Sequence, residues 1–252
     1  STDFPLADTI PREYCSMLDP FVSLSVAAAS TTRIRLGTAI CLLIQRDPIN
    51  CAKAVASLDF VSNGRVEFGI GAGWNEPEMR NHGTDPATRF RLMRERVEAM
   101  KLLWTQEAAE YHGRLVDFEP TLQWPKPIQK PHPPVLLAGA GPNILKRVVA
   151  YADGWLPIVT PEATAASKNR LIPMAEFAEM VPQLNAMAAA AGKPRPSITA
   201  SGLGLEPESF ARLQQLGVDR LILRLAPEPL AVITKQIEQH AANVRAVGGE
   251  LA

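Results

Sequence analysis

The sequence predicts an α/β fold of parallel strands joined by crossover helices, at a length that suits a single (β/α)8 barrel domain. Three observations carry this expectation. Strand-like and helix-like periodicities alternate along the 252 residues, the pattern of right-handed βαβ units. The stretch 34–44 contains a continuous apolar run, Ala39 to Ile44, as in a strand covered on both faces. The stretch 65–71 places Val66, Phe68 and Ile70 on one face and runs into Gly69, Gly71 and Gly73, then Trp74 and Asn75. Glycines at a strand end signal close backbone approach, and the C-terminal ends of parallel strands are where such folds put ligands. The spacing is G-x-G-x-G rather than the dinucleotide fingerprint. The glycines alone fit tight packing as well as a ligand, and the Trp-Asn pair favours a pocket.

Each element follows from local chemistry. Residues 1–17 hold two prolines and no periodicity, which reads as an exposed or inserted loop. Asp19-Pro20 and Asp47-Pro48 each pair a capping side chain with proline in the first turn, opening helices at 20–30 and from 48 onward. Ile49, Ala52, Val55, Ala56 and Phe60 give the second helix its apolar stripe. Asn63-Gly64 is a turn signal before strand 65–71. Glu76-Pro77 opens a short helical turn, and 81–86 is a polar loop. A long helix spans 87–104, with Leu92, Met93, Val97, Met100 and Leu103 inward. Residues 111–133 hold five prolines and cannot be a regular helix; they read as an extended excursion. Strands follow at 134–139, 154–159, 197–203 and 220–225, with helices at 143–151, 171–191, 207–216 and 227–246. Residues 160–170 are a candidate lid. The reading yields six strands, not eight.

Composition narrows the function classes. Twenty-six basic residues balance 26 acidic ones without runs of either sign, which argues against nucleic acid or an anionic membrane as partner. No apolar stretch is long enough to span a bilayer. Cys15, Cys41 and Cys51 lack CxxC spacing; Cys41 and Cys51 lie in apolar stretches and read as buried free thiols of a cytoplasmic protein. Four scattered histidines with no HxH or HxxxH argue against a metal hydrolase, and the absence of G-x-S-x-G argues against a serine hydrolase of that type.

Several stretches, taken in order, resemble the bacterial luciferase-like superfamily of flavin- or deazaflavin-dependent oxidoreductases. They are Leu-Asp-Pro-Phe at 18–21, Arg-Leu-Gly-Thr at 35–38, the segment 62–76, Met-Arg-Glu-Arg-Val-Glu-Ala-Met-Lys at 93–101, 125–134, Ala-Gly-Ala-Gly-Pro at 138–142 and Tyr-Ala-Asp-Gly-Trp at 151–155. No single motif is specific; their order and spacing are. The chain looks most like the deazaflavin-dependent branch. The resemblance implies a TIM (β/α)8 barrel of the luciferase-like type, lacking here the first strand-helix-strand unit, so that the barrel is open or covered by a partner chain. It implies an oxidoreductase or monooxygenase that acts on a small organic substrate as a homodimer, with coenzyme F-420 or FMN as cofactor. A non-catalytic coenzyme-binding relative, or an incomplete and inactive barrel, is the alternative.

A flavin or deazaflavin needs an apolar slot, polar contacts to the ring edge and an anion site for its phosphate. Thr38, Ala39 and Ile40, continuing into Cys41, are the candidate slot wall, or else interior packing. The resemblance implies a non-proline cis peptide here, at Ala39–Ile40. Asn75 either contacts the ring's pyrimidine edge or caps the next turn. Gly139, Ala140, Gly141 and Asn143 form either a phosphate site at a helix N-terminus or a tight turn. Lys146 and Arg147 are weaker candidates. His82 is the candidate catalytic proton donor, or simply serves its own loop. Arg89 either holds an anion or pairs along its helix. His112, His132 and His240 read as structural.

Overall fold

The computed structural model describes residues 10, 16–162, 171–204 and 206–249. The chain divides into two compact units, 1–135 and 136–252. Most of the 1–17 loop and most of the proposed lid at 160–170 lie outside the described residues, as does Cys15.

Helix α1 (Pro20–Ser30) begins as the sequence dictates. Asp19 Oδ1 accepts from Phe21 N at 2.9 Å and Val22 N at 3.3 Å, with Pro20 in the first turn. Asp47 caps α2 (Pro48–Val61) in the same way, accepting from Asn50 N at 2.8 Å. Between them the expected long strand is interrupted. Strand β1 is only Leu36–Gly37 and β2 only Cys41–Leu42, followed by a 3-10 turn, Leu43–Gln45. Both strands pair in parallel with β3 (Val66–Gly71): Leu36 opposes Val66 and Gly37 opposes Glu67, whereas Cys41 opposes Ile70 and Leu42 opposes Gly71. Three residues, 38–40, therefore face two, 68–69, which makes a one-residue β-bulge. An apolar run identifies burial, but it does not carry the register slip that breaks the ladder. The Ala39–Ile40 peptide is cis, as the resemblance implied, and Trp124–Pro125 and Lys130–Pro131 are cis as well.

Helix α3 (Glu76–Asn81) realises the expected short turn, and α4 (Arg89–Thr105) the long helix. Met93, Met100, Leu103 and Trp104 of α4 are buried with Phe68 of β3. The Phe68 and Trp104 rings meet edge-on at 6.3 Å, and Trp104 Nε1 donates to Ala52 O at 2.9 Å.

The excursion is more ordered than its prolines suggest. It starts in an antiparallel hairpin of β4 (Ala108–His112) and β5 (Asp117–Leu122). The Glu95 carboxylate accepts from Leu115 N at 2.7 Å and Val116 N at 3.1 Å, tying the hairpin loop to α4. Further on, Gln129 binds the fully buried Asp59, through its backbone N at 3.0 Å and its Nε2 at 2.7 Å. These partners are distant in sequence, so local pattern could not show them.

In the second unit, β6 (Val135–Ala138), β7 (Gly154–Leu156), β10 (Ser197–Ser201) and β11 (Arg220–Ile222) run parallel in that order. A short parallel pair, β8 (Val159–Thr160) with β9 (Ile172–Pro173), lies beside them. The helices are α5 (Ile144–Tyr151), α6 (Met174–Ala190), α7 (Pro207–Gln215) and α8 (Leu230–Ala246). Trp155 and Phe177 pack at 5.6 Å between ring centroids in this unit's core.

The α/β reading with parallel strands and flanking helices holds, but the described strands do not close a (β/α)8 barrel. The sheet is open, and its last strand β11 pairs only with β10 among the described residues. Closure requires a full strand set at matched tilt and shear. No helix among the described residues is long and apolar enough to cross a membrane.

Candidate functional site

The bulge in the β1–β2 segment makes one wall of a cavity of about 650 Å³ in the first unit. Residues 37–42 line it, with Gln45 and Arg46 from the following turn, Pro20 and Leu24 from α1, and His82 from the end of α3. The bulge is fixed from behind. The buried Thr38 hydroxyl donates to Gly69 O at 2.6 Å, which serves a β3 carbonyl at the point where the ladder is interrupted. Leu43 and Ile44 are fully buried and anchor the 3-10 turn. Leu43 O accepts from Arg96 Nη1 at 2.8 Å and Ile44 O from the Thr84 hydroxyl at 2.8 Å.

The cavity is apolar over most of its wall and cationic at one place. Arg46 lines it, its guanidinium 2.6 Å from Asp19 Oδ2 and 5.1 Å above the Phe21 ring. The hydrogen bond from Arg46, with donation from the helix-start amides Val22 N and Phe21 N, holds the Asp19 carboxyl below its ordinary range, and slight burial works against this. Cys41, also in the wall, is a buried free thiol beside buried Cys51, as the sequence indicated. The Cys51 thiol's hydrogen bond to it lowers the Cys41 pKa, with help from Arg46, against the opposing effect of burial. Cys51 is pushed up by the same bond and by burial. Among the described residues, Gln45 Nε2 and Arg96 Nε are buried here without a hydrogen-bond partner, and of the two only Gln45 lines the cavity.

Four of the sequence-predicted residues, Thr38, Ala39, Ile40 and His82, line this one cavity. Asn75 does what its alternative reading said: its Oδ1 accepts from Glu78 N at 3.4 Å and caps α3. It is not part of the cavity lining. Gly139, Ala140, Gly141 and Asn143 lie in the second unit, in the β6–α5 loop. Gly139 and Gly141 take φ of 137° and 97°, a region open to glycine. Asn143 stands at the N-cap of α5 without a side-chain cap, and Gly139 O accepts from Trp155 Nε1 at 3.0 Å. Lys146 is exposed, as expected from its helix position. Arg89 uses Nη1 on Pro86 O at 2.6 Å and stacks on Phe90 at 4.6 Å, while Glu95 of the same helix holds the hairpin loop.

Sequence reasoning missed Gln45, Arg46 and the α1 face. Asp19-Pro20 was legible as a cap, but not as the partner of a residue 27 positions on. The residues present suit a flat heteroaromatic ring with carbonyl edges: an apolar slot, a small Ala39, a cation, and a buried amide donor that lacks an acceptor.

Comparison with known proteins places the chain in a family. A family profile described as luciferase-like monooxygenase matches residues 6–203. An uncharacterized protein of Mycobacterium tuberculosis is 40% identical over 233 residues, 92% of this chain and 78% of that protein. The oxygenase component of a flavin-dependent trigonelline monooxygenase from Acinetobacter baylyi is 35% identical over 145 residues, 57% of this chain and 39% of that protein. An F420-dependent glucose-6-phosphate dehydrogenase of Kineococcus radiotolerans is 31% identical over 132 residues, 51% of this chain and 39% of that protein. Among solved structures, the monooxygenase RslO1 from Streptomyces bottropensis superposes with a TM-score of 0.62 at 22% identity, over 89% of this chain and 66% of that one. The coenzyme F420-dependent tetrahydromethanopterin reductase from Methanopyrus kandleri gives 0.58 at 20% identity, over 92% and 71%. These two likenesses concern the fold. The chain spans less than half the length of the two enzymes from Acinetobacter and Kineococcus.

Proposed function

The chain belongs to the luciferase-like monooxygenase family, and from that premise we propose that its first-unit cavity binds the ring of FMN or of coenzyme F-420 for oxidation or reduction of a small organic substrate. One observation carries the reading: the bulged segment 38–40, His82, Arg46 and a partnerless buried amide converge on one ligand-sized cavity at the C-terminal end of β1. Relatives of both coenzyme types are in the family. Bound FMN supplies one- and two-electron chemistry that reaches dioxygen, whereas the deazaflavin is confined to hydride transfer.

The chain's own residues then divide the work. Ala39 presents backbone with little side chain, so a planar ring can lie against the bulge that Thr38 pins to Gly69 O. Leu24, Ile40 and Leu42 supply the apolar walls. His82, at the rim, holds or releases a proton as the ring or substrate changes charge. Arg46, oriented by Asp19, places positive charge at the wall. Within the second unit, residues 139–143 are by themselves a proposed phosphate-binding turn, supported by amides ahead of α5; in the first unit, Asn75 remains a candidate for the pyrimidine edge through its amide nitrogen. The buried free thiols favour a reducing cytoplasmic compartment, and a homodimer is the assembly we expect.

The test is titration of the purified protein with FMN and with F-420, followed by absorbance, and then a coenzyme-reduction assay. Saturable binding of one of them, with turnover, supports the enzyme reading. Binding without turnover favours a non-catalytic relative, and binding of neither refutes the proposal.

A further inference from the structure

We propose that the Gln45 side-chain amide donates a hydrogen bond to a carbonyl oxygen of the coenzyme ring and so fixes how the ring is seated. This rests on the coenzyme reading of the cavity and assigns a specific atom within it.

The inference starts from a donor in the wrong place. Gln45 lines the cavity, yet its Nε2 is buried with no hydrogen-bond partner among the described residues. A buried amide donor without an acceptor is costly, and folded chains rarely keep one without a use. The backbone around it offers no relief. Gln45 ends the 3-10 turn, and the neighbouring carbonyls are taken: Leu43 O by Arg46 N at 3.2 Å and Arg96 Nη1 at 2.8 Å, Ile44 O by the Thr84 hydroxyl at 2.8 Å. Because Leu43 and Ile44 are fully buried, the turn cannot shift to find another acceptor. The backbone that carries the amide is therefore fixed ahead of any ligand, which limits the reorganisation needed on binding.

The chemistry of the missing acceptor follows from the neighbours. Arg46, one residue on, already provides the cationic group and is engaged by Asp19 at 2.6 Å. Gln45 adds a neutral donor within an apolar wall that includes Ile40 and Leu42. A neutral carbonyl on a flat ring matches that environment better than a phosphate or carboxylate, whose charge would go to a guanidinium or to helix-start amides. Both FMN and F-420 carry such carbonyls on the pyrimidine end of the ring.

The test compares wild type with Gln45→Met, similar in length but without a donor, and Gln45→Glu, similar in shape but acceptor-only when ionised. Dissociation constants for FMN and for F-420 are measured by fluorescence, and the carbonyl stretch of bound coenzyme by infrared difference spectroscopy. Far-UV circular dichroism and the urea midpoint establish that each variant is folded. We expect Gln45→Met to weaken binding by about tenfold, the scale of one buried hydrogen bond, and to move a ring carbonyl band to higher frequency. Gln45→Glu should weaken it more, because its oxygens repel the ring carbonyl; it also keeps the test open should the Met variant misfold. A folded variant with affinity within about twofold of wild type and unmoved carbonyl bands overturns the assignment while leaving the cavity's function intact. Failure of wild type to bind either coenzyme overturns both.

Discussion

Gly71 is the position at which packing and ligand binding can be separated by a single methyl group. It ends β3 opposite Leu42, and a Cβ added there would lie 2.2 Å from Ile40 Cδ1, 3.3 Å from Ile40 Cγ1 and 3.9 Å from Ile40 Cβ. The first contact is impossible and the second is tight, so Gly71→Ala must swing the end of Ile40 aside. Ile40 lines the cavity, and its terminal methyl would move toward the space the ring needs. Overpacking typically costs about 1–3 kcal/mol. Replacing glycine by alanine returns about 0.4–1 kcal/mol through the unfolded chain where the backbone permits. A net destabilisation of about 1 kcal/mol in urea unfolding is therefore expected, with an approximately tenfold loss of FMN or F-420 affinity. Ile40→Val removes only the methyl that collides and leaves the nearest remaining atom at 3.3 Å. The double variant should thus recover most of both losses, with a coupling of about 1 kcal/mol. Additive effects in that cycle, or a Gly71→Ala protein that binds coenzyme like wild type, would refute the placement of Ile40 between Gly71 and the ligand.

Four further outcomes follow from the same structure. Thr38→Val keeps the side-chain shape but strands the buried Gly69 carbonyl, which now accepts at 2.6 Å; a loss of about 1–3 kcal/mol in unfolding free energy is expected. Arg65→Ala removes a guanidinium bonded to Ser62 O, Ile34 O, Ala28 O, Thr31 O and Thr31 Oγ1; it should cost about 2–3 kcal/mol by urea midpoint, with Arg65→Lys recovering little, because one ammonium cannot reproduce the planar fork. The Asp19 carboxyl is held below its ordinary value of 3.8 in the folded protein, so its stabilisation is full above that value and disappears as pH falls through the lowered folded pKa. Because Asp19 is about two-fifths exposed, the effect is about 1 kcal/mol or less, and the stability gap between wild type and Asp19→Asn should stay constant well above the ordinary value of 3.8 and narrow as pH falls below it. If the gap widens instead, the pair with Arg46 is not what stabilises this region. His82→Asn should slow turnover by about 100-fold or more while leaving coenzyme affinity nearly unchanged; undiminished turnover would remove His82 from the proton path.

What could be read from the chain and what could not divides by the range of the interactions. Caps are local, so Asp19-Pro20 and Asp47-Pro48 fixed the starts of α1 and α2 correctly. The strand reading at 65–71 and the helix reading at 87–104 rest on periodicity and correspond to β3 and α4 within one or two residues. Motif order was enough to identify the family; Thr38, Ala39 and Ile40, read as a slot wall from their apolar strand, and His82, read from its polar loop, share one cavity. Asn75 shows the limit, because a strand-end asparagine reads the same whether it caps a helix or meets a ligand; the bond from Glu78 N records its cap. The break of 34–44 into two short strands comes from a one-residue slip against β3, and register is a property of the pair, not of either strand alone. The hairpin within the proline-rich stretch is held by Glu95, about 20 residues away, and the segment after it by Asp59, 70 residues away. Gln45 and Arg46 became visible as site residues only once the 3-10 turn placed one amide in the cavity without an acceptor and one guanidinium against Asp19. The sequence by itself determined the helix starts, the strongly periodic elements such as β3 and α4, and the family they serve. Tertiary structure alone decided which polar groups find partners, because that depends on contacts between residues far apart in the chain.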